Sequence, residues 1–119
     1  MATYIEHKEK ILYRSRDLYK AISNAKSANL RYDVSIDTYN MIGSDYYDYV
    51  ARVKGPRLVS GIRGPSNSVV RRHSTAVTRA ACQLAEALQE AARDRFSFDV
   101  DTDSGTVVVR VARSNIYGL

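Results

Sequence analysis

Apolar residues near the start of the chain recur at helical spacing. Tyr4, Ile11, Leu12, Leu18, Tyr19, Ile22 and Ala25 fall on one face, with Lys10, Arg14 and Asp17 opposite. Thr3, with Glu6 three residues on, reads as a capping box, and the polar run from Ser23 to Asn29 predicts an end near Ala28. The period then drops to two. Tyr32, Val34 and Ile36 alternate with Asp33, Ser35 and Asp37, a strand with one wet face. After a turn-rich connection from Asn40 to Asp45, Tyr47, Tyr49, Ala51 and Val53 alternate with Tyr46, Asp48, Val50 and Arg52, a second strand expected to run antiparallel to the first. Gly55-Pro56 and Gly64-Pro65 bracket Leu58 to Ile62, which predicts a short edge strand.

Helical spacing returns after Ser66, Asn67 and Ser68, any of which can cap the element. Val70, Val77, Ala81, Leu84, Leu88 and Ala91 form a stripe that runs to about Arg95 without Gly or Pro. Its many alanines let this helix lie close to a neighbour. The chain closes on a hairpin whose register follows from its apolar face. Phe96, Phe98 and Val100 share that face with Val107, Val109 and Val111 if Val100 pairs with Val109 and Phe98 with Val111. This sets Asp99 opposite Arg110 and requires an even-numbered loop around Asp103-Ser104-Gly105. The expected architecture is α+β in the order α-β-β-(β)-α-β-β: a single antiparallel sheet of four or five strands with two helices on one face.

A length of 119 residues suits one domain, and 45% apolar with 26% charged residues is a globular composition. No signal peptide or membrane span is expected, and Cys82, the only cysteine, excludes an intrachain disulfide and any cysteine-based metal cluster. A reducing, cytoplasmic setting follows as the expectation, which a viral protein made in such a cell would share.

Charge changes the picture more than composition does. Between Tyr49 and Ala85 stand Arg52, Lys54, Arg57, Arg63, Arg71, Arg72 and Arg79, with no Asp or Glu; this window carries +7, whereas the remaining 11 basic and 13 acidic residues sum to −2. Helix N-termini favour anions, yet the second helix begins among cations, an arrangement suited to a bound phosphate or carboxylate. Nucleic acid is the commonest extended anion for such a stripe. Tyr46, Tyr47 and Tyr49 adjoin it, and tyrosine can stack on unpaired bases, although Tyr47 and Tyr49 also suit the core.

Catalytic signatures are missing from the sequence. Gly55 to Ser68 holds no Gly-Lys-Ser/Thr and is not a nucleotide-binding P-loop. Asp99, Asp101 and Asp103 suggest a calcium loop, but Gly105 is one place late and Arg110 stands where the bidentate Glu belongs; alternating strand positions explain them better. His73 reads as a packed residue. The order helix, strand with Asp33, strand ending in Lys54, helix superficially resembles restriction-type nucleases, but Arg52 replaces the second acid and repels the metal that acid would hold.

The leading expectation is therefore a non-enzymatic domain, without cofactor or metal, that binds nucleic acid or another polyanion with little sequence specificity. Lys54, Arg57, Arg63, Arg71, Arg72 and Arg79 carry it, with Tyr46 beside them. The alternative is an oligomeric structural or assembly subunit, such as one of a viral or phage particle. It rests on opposite charge blocks, with Asp33, Asp37, Asp45 and Asp48 followed at once by cations, which favours self-complementary or partner contacts. An inhibitor or adaptor docking on an acidic protein is a third reading.

Overall fold

A computed structural model describes residues 2–39, 48–61, 63–103 and 106–110. Helix α1 spans Tyr4–Ser27 and starts as its sequence requires: the Thr3 hydroxyl accepts from the Glu6 amide at 3.2 Å while the Glu6 carboxylate accepts from the Thr3 amide at 3.3 Å. Its buried face is narrower than expected. Ile11, Leu18, Ile22 and Ala25 are buried together with His7 and Ser15, but Tyr19, expected among them, is 46% exposed. Buried Ser15 is satisfied by donating to the Ile11 carbonyl at 2.8 Å.

Asn29 follows in the left-handed region at φ 65°, which Asn tolerates better than most residues. It turns the chain into β1, Leu30–Tyr39, which pairs antiparallel with β2, Asp48–Leu58. Leu30, Tyr32 and Val34 are buried, while Arg31, Asp33 and Ser35 face water, as the alternation predicted. Across the pair, Asp33 lies opposite Lys54, Ser35 opposite Arg52 and Asp37 opposite Val50. The expected separate strand from Leu58 to Ile62 is not formed. Instead β2 continues through Gly55-Pro56 to Leu58 by way of a register shift facing Arg31 and Asp33. Gly55 permits this: its φ is 119°, and a Cβ there would stand 2.7 Å from the Arg31 carbonyl oxygen. Val59 and Ser60 are then tied down without a ladder, the Val59 amide donating to the Asn29 carbonyl and the Ser60 amide to the Asn29 side chain. Ile62 lies outside the described residues.

Helix α2 spans Asn67–Arg93 and buries Val77, Ala80, Ala81, Leu84, Ala85, Ala87, Leu88, Ala91 and Ala92. It runs antiparallel to α1. Lys10 pairs with Glu90 at 2.7 Å, His7 with Asp94 at 2.6 Å, and Arg14 donates to Gln83 at 3.4 Å. Lys10 and Arg14, expected on the far side of α1, therefore edge the seam between the helices. Its alanines allow that close approach, as small side chains do wherever backbones pack tightly.

The final hairpin joins β3, Asp99–Asp103, to β4, Thr106–Arg110, in the expected register: Val100 faces Val109, Asp99 faces Arg110 and Asp103 faces Thr106. The pairing proposed for Val111 lies outside the described residues. Phe98 is buried and stacks on Tyr4, with ring centroids 5.3 Å apart, so the start of α1 and the approach to β3 share one core. The expectation of a single sheet of four or five strands is corrected: among the described residues the strands form two separate two-stranded antiparallel sheets. Although β3 packs beside β1, the Val34 carbonyl accepts the Thr102 hydroxyl. A continuous ladder gives that acceptor to a backbone amide, so pairing stops there.

Candidate anion-binding face

Six of the seven cations of the acid-free window divide between two surfaces, with Arg63 in the segment that joins them. Ser68, Arg71, Arg72, Thr75, Ala76 and Arg79 line an open groove of about 490 Å³ on α2. These positions are spaced by three, four and seven residues, so one helix face carries them all. The opposite face binds α2 to β1: the Tyr32 hydroxyl lies 2.5 Å from the Ser74 hydroxyl and donates to the Val70 carbonyl at 3.4 Å. With Val70, Ser74 and Val77 turned to the sheet, Arg72 and Arg79 point away from it, about 10 Å apart along the axis at 1.5 Å per residue.

Electrostatically this face is uncompensated. Arg71, Arg72 and Arg79 form no ion pair among the described residues. The first acid along α2 is Glu86, and the first turn has none. Ser66 occupies the N-cap in extended conformation, as one of the three expected candidates, yet its side chain caps no amide; its hydroxyl lies 3.1 Å from that of Ser68 instead. The positive end of the helix dipole thus adds to the arginines.

The other surface is the wet face of the β1–β2 hairpin. Arg57 is ion-paired to Asp33, which Arg31 also approaches at 3.8 Å. Arg52 donates to the Tyr39 hydroxyl oxygen at 2.9 Å and meets Asp37 at 2.6 Å. The Tyr39 hydrogen bond, with the electrostatic pull of Tyr39 and Asp37 behind it, pushes the Arg52 guanidinium further above its ordinary value. Lys54 is exposed on the same face, opposite Asp33 but outside ion-pair range. Arg63 is exposed in the segment leading to α2, and Tyr46 lies outside the described residues.

Of the expected site residues, the fold therefore gathers Arg71, Arg72 and Arg79, and places Lys54 and Arg57 on the face of the hairpin turned away from the helices. Reading the sequence missed Ser68, Thr75 and Ala76, which share the groove and were legible from helical spacing alone. It also missed a cleft of about 420 Å³ where α1 meets β4, lined by Leu12, Ser15, Arg16, Tyr19, Thr106, Val107 and Val109. Asp99, Asp101 and Asp103 occupy alternate, exposed positions of β3, and among the described residues no group of three acidic, His or Cys side chains converges as a metal site. No described helix is long and apolar enough to cross a membrane. The chain matches no protein-family model, curated protein or solved structure.

Proposed function

We propose that this protein is a non-enzymatic polyanion-binding domain, with nucleic acid as its principal ligand, acting through the outer face of α2. One observation carries the reading: three arginines stand on one exposed helical face, unpaired among the described residues and contiguous with a helix N-terminus that has no acid. Guanidinium groups donate in forks that match phosphate oxygens. The two-turn spacing from Arg72 to Arg79 lets one extended strand or one groove edge engage both. Ser68 ahead of the charges and Thr75 between them add hydroxyl donors. Contacts of this kind hold phosphates and read no base edges, so affinity falls steeply with salt and sequence preference is slight. Lys54 and Arg57 are not needed for it. Titration of fluorescent single- and double-stranded DNA and RNA at two salt concentrations tests the reading; no binding by micromolar protein at low salt would sink it.

A second reading, an oligomeric structural or assembly subunit, draws on the apolar cleft between α1 and β4, where Leu12, Val107 and Val109 meet Tyr19. Light scattering of the purified protein, with absorbance at 260 nm to reveal copurifying nucleic acid, separates the two.

A further inference from the structure

The outer face of α2 carries an acid where its arginines would otherwise continue. Residues seven apart share one line along a helix, with steps of about 10 Å at 1.5 Å per residue. Arg72, Arg79, Glu86 and Arg93 fill that line on α2, and all four are exposed. Glu86 forms no ion pair among the described residues. Cations of α1 that come level with it are engaged elsewhere: Lys10 meets Glu90 at 2.7 Å, and Arg14 meets Asp17 at 3.9 Å and Gln83 at 3.4 Å. An unshared carboxylate therefore interrupts the line two turns beyond Arg79.

The arginines before it do not themselves lie on one line. Arg71 stands about 100° around the helix from Arg72. It shares its flank with Gln89, five turns on, whose side chain reaches the Tyr49 amide of β2 at 2.8 Å. Arg71, Arg72 and Arg79 thus mark a triangle. A phosphate backbone that meets all three must turn across the helix toward β2.

We propose that this bent site selects single-stranded over double-stranded nucleic acid, and that Glu86 enforces the choice. The inference rests on the polyanion-binding reading and names the ligand class of the same face. A single strand, with rotatable bonds between its phosphates, can follow Arg79 to Arg72, swing to Arg71 and leave Glu86 behind. A duplex is stiff over such a length, its persistence length being about 150 base pairs. Seated on Arg72 and Arg79, it carries further phosphates toward Glu86, within a Debye length of about 10 Å at 0.1 M salt. Without that carboxylate, the line from Arg72 to Arg93 would be a basic strip of about 30 Å, long enough to hold a duplex edge.

Fluorescence anisotropy of a labelled single-stranded DNA, and of the duplex made from it, tests the proposal at low salt. Wild-type protein is expected to bind the single strand about tenfold more tightly than the duplex. Glu86→Lys should raise duplex affinity about tenfold and single-strand affinity less than about threefold. Glu9→Lys is the control, because Glu9 is exposed on α1 beside Lys10, level with the far end of α2, and forms no ion pair among the described residues. It makes the same change in net charge and should move either affinity less than about threefold. Circular dichroism of both variants should match wild type. Equal wild-type affinity for the two DNAs, or a preference for the duplex, would overturn this inference and leave the polyanion reading standing. So would equal gains in duplex affinity from Glu86→Lys and Glu9→Lys. Binding to neither DNA would remove both.

Discussion

Arg52 and Arg57 on β2 each meet a carboxylate, whereas Arg71, Arg72 and Arg79 on α2 meet none among the described residues. All five come from the same acid-free stretch of chain. The difference lies in where each element finds its neighbours. Side chains on a helix surface meet residues three and four positions away, so an acid-free stretch remains acid-free once it is helical. Strand side chains meet residues on the paired strand, remote in sequence. Antiparallel pairing brings β1, with Asp33 and Asp37, across from the cations of β2 and cancels much of their charge. Charge density along a sequence therefore survives folding in a helix and is renegotiated in a sheet.

Reversing charge on each surface is the most direct way to break this comparison. Arg72→Glu with Arg79→Glu is expected to weaken nucleic-acid binding by about two orders of magnitude at low salt and to lower the salt slope by about 2, one contact per arginine. Arg52→Glu with Arg57→Glu should change affinity less than about threefold. Fluorescence anisotropy over a salt series measures both, and equal losses from the two pairs would erase the distinction.

A second test removes the device that positions Arg57. Gly55→Ala forces a side chain into the left-handed region and against the Arg31 carbonyl, and is expected to cost about 2 kcal/mol in urea unfolding. Asp33→Asn with Asp37→Asn should instead free Arg57 and Arg52 and raise nucleic-acid affinity by about threefold, with a steeper salt dependence. Tyr32→Phe removes the hydroxyl that holds the Ser74 side of α2 to β1; about 1 kcal/mol of stability should be lost, with binding unchanged.

The opposite end of α2 gives the smallest effect. There the hydrogen bond from His7 holds the Asp94 carboxyl below its ordinary value, and the charge of His7 acts in the same direction. A depressed carboxyl contributes stability that is complete above the unfolded-state value of 3.8 and is lost as pH falls through the lower folded-state value. Thermal midpoints of wild type and Asp94→Asn should therefore converge as pH drops from neutrality below that range. A gap that widened on acidification would contradict the sign.

Local signals in this chain were legible because their physics is local. The Thr3–Glu6 capping box, both helices within two residues of their observed ends, and the register that sets Asp99 opposite Arg110 all depend on groups a few positions apart. Tyr19 failed because the buried stripe of α1 is only as wide as the surfaces that cover it, and the spacing of apolar residues does not report that width. Leu58 to Ile62 failed because Gly55-Pro56 was read as a break between strands. Its use here is to absorb a register shift inside one strand, opposite a β1 position that nothing in the local sequence identifies. Within the candidate site, Arg72 and Arg79 were readable from the helical wheel, and Arg71 joins them at the groove. Separating Lys54 and Arg57 from them required knowing which face of the hairpin the helices cover.

By itself the sequence determined the elements, the hairpin register and the concentration of positive charge, since periodicity, capping and alternation act over one or two turns of chain. Only the tertiary structure decided that the four described strands form two ladders and not one, with the Val34 carbonyl given to the Thr102 hydroxyl. It also decided which arginines keep an unshared charge, because electrostatic compensation depends on distance in space, and the carboxylates that meet Arg52 and Arg57 lie about 15 to 25 residues away along the chain.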